Sequence, residues 1–103
     1  MPDRIESPPL RTPSSFDWND QNEREHIAKH GIRFGFAIGI FLDPMRIETI
    51  DLRRDYGELR CNVVGLVDGT YLNVTFTMKG ATAWVISARP ASRKERRAYD
   101  HRS

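Results

Sequence analysis

The residues best able to do chemistry lie where Val85-Ile86-Ser87-Ala88-Arg89-Pro90-Ala91-Ser92-Arg93-Lys94-Glu95-Arg96-Arg97-Ala98-Tyr99 passes from an apolar run into a basic helix. Arg89–Arg102 holds six cationic and two acidic side chains, an imbalance hidden by a net charge of +2. Such a local excess suits a polyanion or an acidic protein partner. Arg89 and Arg93 straddle the junction, Lys79 stands at the preceding turn and Arg60 at the start of its strand. From that spacing the four are expected to converge on one face of a small sheet. Arg93–Glu95 fall in the first helical turn, whose free N–H groups favour phosphate. Two groups suit proton transfer. Glu58 lies in a loop two residues from Arg60 and needs burial or a neighbour to become a better base. His30 has an ordinary pKa already in the range of a proton shuttle. Each has a plainer reading: Glu58–Arg60 as a surface ion pair, His30 as a cation closing a helix C-terminus, and Lys94, Arg96 and Arg97 as a solvated helix face.

The elements that must position these groups are read from pattern. Met1–Ser15 has four prolines, three serines and few sizeable apolar side chains, and is expected to be a flexible extension. Phe16-Asp17-Trp18 is a short β-like start. Asn19 or Asp20 then N-caps a mostly solvated helix over Gln21–His30, with Gly31 as its stop. Apolar residues at Phe34, Ala37, Ile38 and Phe41 have the spacing of one helical face, so a core-packed helix is expected over Ile32–Phe41, ended by Asp43-Pro44.

Four β candidates follow, Met45–Leu52 (the weakest), Arg60–Val67, Thr70–Met78 and Ala83–Ser87, with Asp55-Tyr56-Gly57-Glu58 filling a loop between the first two. Asp68-Gly69 and Lys79-Gly80-Ala81 supply turns, so residues 60–87 read as an antiparallel meander. Ser92 and Glu95 form a capping box for a helix over Arg93–Tyr99, whose anchor is Tyr99. The expected fold is α+β: two N-terminal helices, an antiparallel sheet of three to four strands and a C-terminal helix. At 103 residues this is one domain. The single Cys61 excludes an intrachain disulfide and a multi-cysteine metal site, and no metal or cofactor is expected. With no apolar leader and no stretch long enough to span a membrane, the chain is expected in the cytoplasm.

Several of these residues fall in a known order. Phe16-Asp17-Trp18, Lys29-His30-Gly31-Ile32-x-Phe34 with Ala37, Phe41-x-Asp43-Pro44, Gly57-Glu58-x-Arg60 with Gly65, and Ile86-Ser87-Ala88-Arg89-x-Ala91-x-Arg93-x-Glu95-Arg96-x-x-Tyr99 resemble the BrnT family of bacterial toxins. The resemblance covers Phe16–Asp100 and marks residues 16–103 as a BrnT-like toxin domain. It implies a RelE-like ribonuclease fold and a small endoribonuclease that cleaves RNA and arrests translation. It also implies neutralisation by a BrnA-like antitoxin, with operator DNA reached only through the complex and room for a toxin dimer within a heterotetramer.

Metal-free RNA cleavage by a 2′-hydroxyl needs a base, a group to protonate the departing 5′-oxygen, and cations on the phosphorane. The candidate catalytic residues are Glu58, His30, Lys79, Arg89 and Arg93. Arg60, Arg89 and Arg93 would hold phosphate, and Lys94, Arg96 and Arg97 would meet the antitoxin. Many relatives have Arg where this chain has Lys79, and Arg just before the ISAR block where it has Trp84. Lys lacks the planar fork that grips phosphate with two hydrogen bonds. Trp84 either stacks on a base or covers core, the reading its neighbours Val85 and Ile86 favour. The rival reading is a non-catalytic nucleic-acid- or protein-binding module, a degenerate toxin kept as a scaffold.

Overall fold

The computed structural model describes residues 4–6, 12–51 and 57–102. In chain order these form strands Arg4–Glu6 (β1) and Ser15–Trp18 (β2), helix Asp20–His30 (α1), and the single-turn helix Phe34–Ala37 (α2), which runs into a 3-10 turn at Ile38–Leu42. Strands Ile47–Asp51 (β3), Arg60–Val67 (β4), Thr70–Lys79 (β5) and Thr82–Pro90 (β6) and helix Arg93–Arg102 (α3) complete the order. The α+β class is as expected, but the sheet is larger. It has six strands in the order β1-β3-β4-β5-β6-β2, and it is mixed, because β2 runs parallel to β6.

The β-like start expected at Phe16–Trp18 is β2, which begins at Ser15 and joins the sheet, and β1 comes from the segment expected to be a flexible extension. Arg4–Glu6 pairs with Thr49–Asp51 of β3, and Ser15–Trp18 pairs with Thr82–Val85 of β6. Ser14 joins the same edge, its N–H donating to the Ala81 carbonyl at 2.9 Å. A proline-rich stretch can do this because edge pairing is a backbone transaction that needs little apolar burial. The rest of the expected extension, residues 1–3 and 7–11, lies outside the described residues, as do Leu52, Asp55 and Tyr56.

The second N-terminal helix is also shorter than expected. Helical geometry begins at Phe34, and by Ile38 the turn has tightened to 3-10, as two glycines weaken an α-helix here. The apolar spacing is nevertheless honoured, with Phe34 and Ala37 fully buried and Phe41 nearly so. These side chains pack on Cys61, Val63, Leu72, Val74, Phe76, Ala83, Val85 and Ala88, the face of β4–β6 turned toward the helices. Phe41 meets Phe76 edge-on at 5.0 Å, and Trp18 meets Phe34 likewise at 6.0 Å. Glu23 of α1 fastens α2 by accepting the Phe34 N–H at 2.9 Å.

The opposite face of the sheet is polar. Pairing of Arg60 with Thr77, Asn62 with Thr75, Thr77 with Trp84 and Asn73 with Arg89 sets these side chains together on it. Arg89 reaches that face through an irregularity. Thr75 pairs with Ser87 but Phe76 with Val85, leaving Ile86 as an extra residue in β6. Strict alternation from buried Val85 would aim Arg89 into the core; the bulge reverses the parity, burying Ala88 instead. Asn22 of α1 donates to the freed Ile86 carbonyl at 2.6 Å.

Helix α3 is anchored through Asp43. The Asp43 carboxylate accepts from the Met45 N–H (2.8 Å), the Leu66 N–H (2.9 Å) and the Tyr99 hydroxyl (2.7 Å). Partial burial raises its pKa, but the bonds from Tyr99, Leu66 and Met45 and the charge of Arg46 outweigh that and hold it below 3.8. This bonding stabilises the fold above pH 3.8 and is lost as pH falls below it. Gly65 permits the close approach, since a Cβ there would stand 3.0 Å from both Asp43 Oδ2 and Ile40 Cγ1. Gly65→Ala is therefore expected to destabilise the protein by roughly 1–3 kcal/mol, and Tyr99→Phe by about 1 kcal/mol, both readable from urea denaturation at neutral pH.

Candidate functional site around a clamped arginine

Strand β6 and helix α3 meet at Glu95. Arg89 grips its carboxylate with two hydrogen bonds, Nη1 to Oε1 and Nη2 to Oε2, each 2.9 Å. Asn73 of β5 adds a third at 2.7 Å, and the Ser92 N–H a fourth at 2.8 Å. Ser92 Oγ in turn accepts the Glu95 N–H at 3.2 Å, completing the expected capping box. Burial raises the Glu95 pKa, but the bonds from Arg89 and Ser92 outweigh it and set the carboxyl at about 2. Arg89 is thereby an oriented cation with a 41% exposed side chain. Its Nη1 also donates to the Pro90 carbonyl at 3.1 Å.

His30 lies at the end of α1, whose C-terminus Gly31 closes in the left-handed conformation. The residue as a whole is partly exposed. Slight desolvation of its ring, followed by the charges of Lys29, His26 and Arg89, holds it below the ordinary 6.5. His30 is thus biased toward its neutral form. Arg93, the first residue of α3, is exposed and makes no hydrogen bond or ion pair among the described residues. The structure therefore sets Arg93 four residues beyond Arg89 at the helix start, while His30 stands at the C-terminus of α1, where the Arg89 charge is the least of the influences on it.

Arg60 and Lys79 share the polar face with Arg89, as expected, but they are spread along it and do not gather at one point. Lys79 is six residues from Asn73 along β5, about 20 Å at the rise of a strand, so it sits at the far end from Arg89. There its ammonium lies 4.3 Å from the centre of the Trp84 ring. Trp84 accordingly packs on the polar face beneath Lys79 and not in the core with Val85. Arg60 belongs to the row of Thr77, about 13 Å from the Asn73–Arg89 row, and Glu58 pairs with it at 3.4 Å. Of the helix cations, Arg96 stacks over Tyr71 at 4.6 Å, while Lys94 and Arg97 are exposed.

Sequence reading overlooked Asn62 and Asn73. Both are buried on the polar face, with Asn62 Nδ2 and Asn73 Oδ1 unpartnered. The only sign of them was polar residues interrupting β-rich runs. Among the described residues, no group of three or more His, Cys, Asp or Glu side chains lies close enough to hold a metal ion, and no helix is long and apolar enough to cross a membrane.

The clamp makes stability acid-sensitive. A carboxyl lowered from 4.5 to about 2 contributes stability above pH 4.5 that is lost as pH falls toward 2. After allowance for the solvent exposure of Arg89, the contribution is about 2 kcal/mol. Glu95→Gln, which keeps a capping side chain, is expected to lose about that much at pH 7 and to show a shallower decline between pH 4.5 and 2, measured by denaturant titration at a series of pH values.

Residues 18–95 match the family model described as the ribonuclease toxin BrnT of type II toxin–antitoxin systems. No curated protein matches. The matched span runs from Trp18, ahead of α1, to Glu95, the residue that clamps Arg89. It takes in every strand of the meander and the whole of the His30–Arg89 arrangement, and the chain belongs to the BrnT family of type II ribonuclease toxins.

Proposed function

We propose that this toxin is a metal-independent endoribonuclease of the RelE-like kind. In this reading it works in the cytoplasm, arrests translation by cutting RNA, and is held silent by a BrnA-like antitoxin that also brings the complex to operator DNA. The observation that supports the reading is Arg89, oriented by two bonds to Glu95 yet 41% exposed, with the exposed Arg93 at the start of the next helix. Neutral His30 takes the proton of a 2′-hydroxyl; the 2′-oxygen then bonds to phosphorus, and the bond from phosphorus to the 5′-oxygen breaks. The departing oxygen takes a proton from water, leaving a 2′,3′-cyclic phosphate and a 5′-hydroxyl. Arg93 and the outward N–H groups of Arg89 face the phosphorane charge, and the first turn of α3 adds its dipole.

Arg60 and Lys79 extend the cationic track along the same face, where they meet neighbouring phosphates, and Glu58 holds Arg60 in place. Trp84, already capped by Lys79, offers its ring to a base. Lys94 and Arg97, together with Arg96 on its Tyr71 platform, are left to an acidic partner. A second reading has its own support in the Arg89–Glu95 pair, since an arginine already satisfied by a carboxylate suits a scaffold as well as a catalyst.

Labelled RNA incubated with the protein in EDTA separates the two readings. Cleavage with cyclic-phosphate ends is expected, whereas a scaffold only retards the RNA in a gel. His30→Gln is expected to lower kcat by roughly 10²–10⁴. Because the His30 pKa lies below 6.5, the wild-type rate should hold through neutral pH and fall only on the acid side of that value. Arg93→Ala should weaken cleavage and abolish growth arrest; unaltered toxicity in both variants would sink the assignment.

A further inference from the structure

The polar face of the sheet is laid out in rows, and its two ends differ in chemistry. Register places Arg60, Thr77 and Trp84 in one row across β4, β5 and β6, Asn62, Thr75 and Ser87 in the next, and Asn73 and Arg89 beyond them. The middle row is low. Asn62 is buried and its Oδ1 accepts from Thr75 Oγ1 at 2.8 Å, which holds both side chains down, while Thr75 and Ser87 are open in part to solvent. A shallow trough of small polar side chains thus separates the Trp84 ring, with Lys79 and Arg60 beside it, from Arg89 and Arg93. From Thr77 to Asn73 is four residues of β5, about 13 Å at the rise of a strand.

We infer that Trp84 sets base preference: it stacks a purine of single-stranded RNA at a fixed offset from the phosphate that is cut beside Arg89. The inference deepens the ribonuclease reading above and rests on it. Among the residues of these rows Trp84 alone is aromatic, and a ring of this kind stacks only on an unpaired base, whose flanking phosphates then meet Lys79 and Arg60. Lys79 already lies over the ring at 4.3 Å, but it is exposed, and a cation over a ring in water is held more weakly than a stacked base. The base therefore takes its place and leaves the ammonium next to a phosphate of the same strand. A purine gains more than a pyrimidine because its larger face covers more of the indole. Distance fixes the offset. Even with bases fully stacked at about 3.4 Å per nucleotide, 13 Å or so spans no more than about four nucleotides, and an extended strand covers it in fewer.

Sequencing the ends left by cleavage of a random-sequence RNA pool reads the offset directly. Wild type is expected to show purine enrichment at one position within about four nucleotides of the break, lost in Trp84→Leu and kept in Trp84→Phe, with melting temperature checking that each variant is folded. A wild-type profile with no such position, or the same enrichment in folded Trp84→Leu, overturns the inference. Binding of 2′-O-methyl oligoadenylate and oligouridylate, neither of which can be cut through its 2′-oxygen, separates base selection from catalysis. Oligoadenylate is expected to bind more tightly than oligouridylate and to lose roughly fivefold or more in affinity in Trp84→Leu. Equal affinities for the two, unmoved by the substitution, overturn the inference. Purine-selective binding through Trp84 by a protein that cuts no RNA upholds base selection and refutes the cleavage reading alone.

Discussion

A carboxylate that accepts several hydrogen bonds at once is a stronger joint than the same number of neutral bonds, and Asp43 is such a joint. It gathers a backbone N–H from the bend after the 3-10 turn, another from β4, and the hydroxyl of Tyr99 from α3. Three segments far apart in sequence are thereby held to one side chain. Tyr99 gains a second contact from Tyr71, edge-on at 5.8 Å, whose own hydroxyl donates to Asp100 at 2.7 Å. Helix α3 has little apolar surface of its own, so these polar contacts, more than hydrophobic burial, decide where it lies.

The polar face depends on that placement. Glu95 meets Arg89 because α3 is fixed at its far end, and Arg89 points to the polar face because Ile86 interrupts the alternation of β6. Each device supports the other: the bulge aims the arginine, and the helix supplies the carboxylate that stops it from folding back. Arginine's planar fork matches this double grip in a way a lysine ammonium does not. His30 is fixed by a separate route, through α1, which Glu23 ties to α2 and Asn22 to the bulge.

What the sequence disclosed follows from which signals are local. Alternation in Thr70–Lys79, the Asp-Gly turn and the Ser92–Glu95 capping box are complete within a few residues, and β4, β5 and the start of α3 were legible from them. Both turn residues have positive φ, 47° at Asp68 and 78° at Gly69, as a tight hairpin with the twist of its strands requires. The misplaced elements depend on distant partners. Phe16–Trp18 reads as β-like, but nothing near it shows that its partner is β6, and the proline-rich stretch before it gives no sign of β1. Lys79 and Arg89 look like neighbours on a short strand until the length and register of the hairpin put them at opposite ends. Asp43 read as a helix stop, and nothing within its own segment shows the three donors that converge on it.

The parallel pairing of β2 with β6 also sets an order on synthesis. Ser15 and its partner Thr82 are 67 positions apart, so the early strand has no place to go until the late one exists. A ribosome delivers the chain from its N-terminus, and loop-closure entropy makes such distant pairings late events in any case. Arg89 and Glu95 emerge later still. A nascent chain therefore holds its cations and its histidine in separate, unassembled pieces while it is being translated. The joint between Arg89 and Glu95 is thus completed only after β6 and the start of α3 have been made.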